Sequence, residues 1–207
     1  MSNTKDQSTL TLYKLLMEEA KTRTASINAL TSNKIDFPSN IARECCYLQL
    51  RMLCELIALG CLVAHGDIEA TKSKDFQKAY LPAEILSRLE ALHPDFYPSP
   101  RLAQKTPTGW HLADYEGPPY LTKEELRTLH GKCGDVLHRG SLKRLSRAAK
   151  AGNEGFGDVI EWGQKILNLL SVHCIITLGA RRVIVTFLEV TNSGGAVQCA
   201  MGAAPGA

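Results

Sequence analysis

Aromatic residues make up only 6% of the 207-residue chain, which argues against a surface that reads nucleic acid by stacking bases on rings. The seven cysteines (Cys45, Cys46, Cys54, Cys61, Cys133, Cys174, Cys199) contain no CxxC pair and no metal-ligand spacing. No metal site is therefore expected. Their number is odd and most lie among apolar neighbours, the usage of small core residues in a reducing cytoplasm. The opening MSNTKDQST lacks a charged start followed by an apolar run, so secretion is not expected and a cytoplasmic protein is. No segment reaches ~18 uninterrupted apolar residues. The nearest, Cys45 to Ala64, carries Arg51 and Glu55 in its middle, so no membrane span is expected. GxGxxG, P-loop and GxSxG patterns are missing, as is any internal repeat. No cofactor is expected.

What remains is an ordinary soluble composition, 44% hydrophobic and 22% charged, in a chain long enough for one well-buried core. The net charge of +3 is unevenly spread. Between Arg127 and Lys150 stand seven Lys or Arg and one acidic residue, Asp135. Such a block points to an anionic partner, nucleic acid or phosphate.

Hydrophobic periodicity predicts mainly α structure. An amphipathic helix is expected from Thr9 to about Leu30, after a polar, frayed start. The next, from about Asn40 to His65, is apolar nearly all round and reads as the buried central helix. One narrow line on it is charged: Glu44, Arg51 and Glu55 project within about 40° of each other. Arg51 and Glu55 are four residues apart and can satisfy one another, either at a helix–helix seam or facing a cleft. Pro82 to His93 reads as a short helix with Pro first. Prolines interrupt PDFYPSP, and Trp110 to Tyr115 reads as a strand or hairpin arm. Ser141 to Gly152 reads as a basic helix. Asp158 can cap a last long helix from about Val159 to Leu178, with His173 a satisfied core histidine. Arg182 to Val190 is rich in β-branched residues and reads as a strand, with AVQCAM as its returning partner. The expected organisation is a helical bundle over residues 1–180, a hairpin over 181–201, and a disordered tail over 202–207.

The helix the rest is organised around is Leu121 to Gly140, LTKEELRTLHGKCGDVLHRG. Thr122 and Glu125 have capping-box spacing, Leu121 and Leu126 the spacing of a hydrophobic staple, and Gly140 suits a left-handed stop. At about 100° per residue, Leu126, Leu129, Cys133, Val136 and Leu137 form a core face. Arg127, Gly131, Gly134 and His138 form a second face, with Asp135 beside it. Two glycines inside a helix cost about 1 kcal/mol each against Ala, so they call for close packing of another backbone or room for a ligand. His138 sits where the helix dipole and Asp135 favour imidazolium, which suits proton transfer or phosphate binding.

A long apolar helix with an Arg/Glu line, followed by a helix ending in DxLHRG, resembles the HEPN superfamily over roughly residues 10 to 178. The resemblance implies a compact helical bundle, frequent homodimers, and roles in toxin–antitoxin or antiviral systems. It also implies metal-independent ribonuclease chemistry from an Arg-x(4–6)-His motif near the end of such a helix. His138 matches the family histidine. The positions that spacing assigns to arginine hold Cys133, Lys132 and Gly131, of which only Lys132 is cationic, and Lys cannot fork around a phosphate as Arg does. Arg127 lies eleven residues before His138 on the same face, ~16 Å away. Two copies packed antiparallel through Gly131 and Gly134 would set Arg127 of one beside His138 of the other. The expected function is RNA or nucleotide binding through this face. Its residues are His138, Arg127 and Asp135 for chemistry, with Arg51, Glu55, Lys132, Arg139, Lys143, Arg144 and Arg147 for binding. The rival reading is a non-catalytic dimeric interaction module in which the glycines serve packing.

Overall fold

Two long helices open the chain. In the computed structural model, which describes residues 4–32, 36–66, 68–107, 109–138, 155–177, 182–189 and 194–203, α1 spans Thr4–Thr31 and α2 spans Ser39–Ala64. Buried Tyr13, Met17, Ala20, Thr24 and Ile27 alternate at spacings of four and three, so one stripe of α1 faces α2. The Thr-rich second half of α1 holds because its hydroxyls bond back to carbonyls one turn earlier, Thr24 to Ala20 at 2.9 Å and Ser26 to Thr22 at 3.0 Å. Helicity begins earlier than the sequence suggests, since Asp6 in the first turns is ion-paired to Arg182. At Gly60 the helices approach so closely that a Cβ would stand 3.1 Å from the Tyr13 ring. This glycine is an approach point rather than a hinge.

α2 is the centre of the core, with Cys46, Leu50, Leu53, Cys54, Ile57 and Cys61 fully buried. By length and composition it could cross a membrane, yet 56% of its most apolar window is packed inside the fold. A 3₁₀ turn (Glu69–Lys72) and the short α3 (Lys74–Gln77) lead to α4 (Pro82–Leu92), which has Pro at its start as expected. Further on come α5 (Lys123–Leu137) and α6 (Gly157–Leu170). Both α4 and α5 pack on α2.

The fold is not a mainly helical bundle with a short hairpin; it is mixed α and β. A five-stranded sheet runs in the order β2-β1-β3-β4-β5, with β1 Ser99–Thr106, β2 Gly109–Asp114, β3 Val172–Thr177, β4 Arg182–Phe187 and β5 Gln198–Ala203. All pairings are antiparallel. Two strands account for the correction. The expected helix Val159–Leu178 stops at Leu170, and VHCIIT becomes β3 at the centre of the sheet. Its Val, Ile and Thr side chains are stiff at χ1 and suit a pleated surface. The switch is closed locally, by the Ser171 hydroxyl on Leu167 O at 2.6 Å and Leu188 N on Ser171 O at 2.9 Å.

The second is β1, which carries Pro100 opposite His173 of β3 and pairs along its length with β2. The expected strand near Trp110 is present as β2, and the expected C-terminal pair is present as β4 and β5. They extend the sheet instead of standing alone as a hairpin. Gly202 and Ala203, expected in a tail, pair with Val183 and Arg182.

Candidate functional site

The entrance of α5 is built as its sequence implies. Thr122 Oγ1 accepts from Glu125 N at 3.2 Å, and the Glu125 carboxylate accepts from Thr122 N at 3.1 Å. Leu121 and Leu126 are both fully buried. Leu126, Leu129 and Cys133 are buried, while Val136 and Leu137 pack against the core from its margin.

The exit differs. The helix ends at Leu137, and His138 is its C-cap in extended conformation, φ −86° and ψ 126°, donating its N–H to Gly134 O at 3.0 Å. Its N–H still follows the helical pattern, and its ψ turns the chain out of the helix after it. His138 and Asp135 are exposed. Gly140, the predicted basic helix Ser141–Gly152 and the binding candidates Arg139, Lys143, Arg144 and Arg147 lie outside the described residues.

The site candidates Arg127 and Lys132 are engaged within the chain. Arg127 Nη2 donates to Glu90 Oε2 on α4 at 3.0 Å, and Lys123 Nζ donates to the other Glu90 oxygen at 2.6 Å. These two donors, Lys123 foremost, hold the Glu90 carboxyl below its ordinary range. Arg127 Nε is buried without a partner. Arg127 thus clips α5 to α4.

Lys132 reaches Asp158 Oδ2 at 3.2 Å. Asp158, in the first turn of α6, also receives the Arg43 fork at 2.6 and 2.8 Å and the Tyr47 hydroxyl at 2.5 Å. The Arg43 fork, joined by Tyr47 and Lys132, holds this carboxyl far below the usual carboxylate range. Burial first, and Asp158 second, push the Tyr47 phenol up. The cap position of α6 is Phe156 and not Asp158; the Asp158 carboxylate accepts the first-turn N–H of Val159 at 2.9 Å and ties α6 to α2 and α5.

The charged line of α2 faces α5. Arg51 Nε donates to Glu55 Oε1 at 3.2 Å, and His130 Nε2 lies 3.4 Å from the same oxygen. A Cβ on Gly134 would stand 3.5 Å from Arg51 Nη1, so this glycine gives the guanidinium room. Gly131 is exposed, and no described residue comes within 4 Å of a Cβ added there. Arg51 and Glu55 are half-buried at a helix–helix seam, one of the two placements their spacing allowed.

The structure therefore gathers Arg51, Glu55, His130 and Gly134 in one group, Lys132 with Arg43, Tyr47 and Asp158 in a second, and Arg127 with Lys123 and Glu90 in a third. It does not gather Arg127, Lys132 and His138. Arg43 and Tyr47 share a face of α2 at i,i+4, the one local signal that could have flagged them.

Other histidines serve the core. His173 is fully buried between Tyr13 Oη at 2.7 Å and Leu170 O at 3.0 Å, and burial pushes its pKa down to about 4. His65 and His93 turn Nε2 to the same carbonyl, Ile176 O, at 3.2 and 2.9 Å. His111 is exposed on β2. Among the described residues no group of three His, Cys, Asp or Glu is placed to hold a metal ion, and all seven cysteines are free thiols. No family model, no curated protein and no solved structure matches the chain.

Proposed function

We propose that this protein binds an RNA strand or a nucleotide through His138 and the basic residues that follow it, and that binding rather than cleavage is its function. One observation carries the reading: the sequence sets a run of cations without acidic residues directly after His138. Arg127 and Lys132 each meet a carboxylate of the same chain. Residues 139–150 contain five Lys or Arg and no acidic residue, next to an exposed histidine. A run of like charge in the sequence attracts phosphates, whose binding releases condensed cations. The resemblance of DxLHRG to the HEPN motif agrees with an RNA ligand, a cytoplasmic setting and a place in a toxin or defence system. Cleavage by His138 would need a second cation beside it, and Arg127 is committed to Glu90.

A labelled RNA pool, incubated with and without EDTA beside a His138→Ala variant, tests this. Retention without cleavage is expected, with log affinity falling against log salt at a slope of about −3.5 if all five cations meet phosphates. Arg144→Ala with Arg147→Ala should flatten that slope by about 1.4. EDTA-resistant cleavage lost in His138→Ala would replace binding with ribonuclease activity. Absence of both binding and cleavage would sink the RNA reading.

The rival, a dimeric interaction module, is favoured by Gly131, which is exposed and has no described residue within 4 Å of an added Cβ. It predicts a dimer in solution that Gly131→Leu converts to monomer.

A further inference from the structure

A cavity of about 450 Å³ lies at the opposite end of α5 from His138, within the range of small-molecule sites. The 15 residues of α5 set the two ends about 22 Å apart. Its floor is the sheet. Ser99 of β1 is the register partner of Cys174 of β3, and alternate residues share a face, so Arg101 and Ile176 line it as well. Its far wall is the entrance of α5, with Lys123 and Glu124, and Asp95 stands in the loop before β1.

Two cations thus line the cavity, Arg101 on its floor and Lys123 on its far wall. Neither of their carboxylate partners lines the cavity: Arg101 pairs with Asp114, whose side chain is 92% exposed, and Lys123 pairs with Glu90. A solvated partner such as Asp114 holds its cation weakly. Glu90 keeps Arg127 when Lys123 turns away. Both cations are therefore able to reorient to a ligand without leaving a buried carboxylate unpaired.

Ile176 supplies apolar surface, 39% exposed despite its place on a central strand. Its backbone is pinned from behind by His65 and His93, so this floor is preorganised. Asp95 and Glu124 oppose a second negative charge and accept a hydrogen bond from a hydroxyl or amine.

We propose that this cavity binds a small organic acid carrying one carboxylate, one adjacent hydrogen-bond donor and an apolar body. The carboxylate lies between Arg101 and Lys123, the donor faces Asp95 or Glu124, and the apolar body rests on Ile176.

The probes are phenyllactate, which has all three features, and 2-phenylethanol, which lacks the carboxylate. Calorimetry on the full chain measures both, and methyl NMR follows Ile176. Phenyllactate should bind at least tenfold tighter than 2-phenylethanol and shift the Ile176 methyl signals. Arg101→Gln, which breaks the ion pair to exposed Asp114 and loosens the contact of Arg101 with the Cys174 thiol, should keep the fold by circular dichroism. It should weaken phenyllactate by about 10- to 100-fold, the loss of a charge-assisted hydrogen bond. Equal affinity for the two probes, an unchanged constant in folded Arg101→Gln, or no binding of either at 10 mM would each overturn the proposal. Titration of labelled RNA leaving the phenyllactate constant unchanged keeps this site separate from the one at His138.

Discussion

Two tyrosines on neighbouring helices each donate to one polar partner, and the surroundings make the two pairs behave differently. Tyr13 donates to His173 in a place that water does not reach. The Leu170 carbonyl can only accept, so His173 Nδ1 carries the proton and Nε2 receives the Tyr13 hydroxyl. Every polar atom is matched once, with neutral groups on both sides. Tyr47 donates to Asp158, a carboxylate 29% exposed that is also held by Arg43 and Lys132. There the charge is shared among several donors, and water is available to replace any one of them. The dry pair should therefore fail abruptly when one member changes. The wetter cluster should weaken by degrees.

The largest effect is expected from His173→Ala. It removes a fully buried ring and leaves the Tyr13 hydroxyl without a partner, a loss of about 4 kcal/mol from the cavity and orphaned-group contributions together. Urea unfolding measures it. Restoring apolar matching with Tyr13→Phe and His173→Leu together should recover more than half, because replacing both members leaves fewer unpaired atoms. A single-variant loss below 1 kcal/mol would show that water enters this pair after all.

Acid should separate the two regions next. The unfolded His173 binds a proton near its ordinary 6.5, whereas the folded one resists until about 4. As pH falls from 6.5 to 4 the unfolded state gains that proton first, so stability declines across this window by about 3 kcal/mol. Asp158 works in the other window. Its folded carboxyl titrates far below its unfolded value, so its contribution is complete above pH 4 and fades only in stronger acid. Unfolding free energies at pH 7, 5.5 and 4 check this, with His173→Leu expected to flatten the decline. An unchanged slope in that variant would move the acid sensitivity elsewhere.

At the wetter cluster, Asp158→Asn should cost about 2 kcal/mol, because the Arg43 fork and Lys132 lose their anion but remain partly hydrated. Lys132→Ala should cost under about 1 kcal/mol, its side chain being 42% exposed. If the two substitutions cost the same, the cluster is not graded as argued.

The same contrast explains what the sequence disclosed. Thr122 and Glu125 were readable because a capping box closes over three residues, and the Arg51–Glu55 seam because its members are one helical turn apart. The pairing of β4 with β5 was readable from β-branched residues around a Ser-Gly-Gly turn. Long-range placement was not: Arg43 and Asp158 stand 115 residues apart, and nothing local to either names the other. β3 was hidden because an apolar run has no period that separates a buried helix from a buried strand. β1 was hidden because Pro94, Pro98 and Pro100 read as punctuation, although Pro100 sits in the strand. The end of α5 was legible to within a residue, since His138, expected in its last turn, is its C-cap.

Gly131 supplies the smallest effect and discriminates between the two functional readings. Both glycines of α5 suggested a packing notch, and among the described residues only Gly134 lies against a side chain, that of Arg51. Among the described residues nothing stands within 4 Å of a Cβ added at Gly131, so Gly131→Ala in an isolated chain gains helix propensity without a clash with any of them. It should stabilise by up to about 1 kcal/mol. If the same face were pressed against a second copy, the added methyl would instead disturb that contact, and the apparent stability would fall with a dependence on protein concentration. Thermal unfolding of Gly131→Ala at two concentrations a hundredfold apart distinguishes these cases. A rise of a few degrees, equal at both, leaves the face open for other partners. A concentration-dependent fall would establish the dimer and make the interaction module the better reading of this helix.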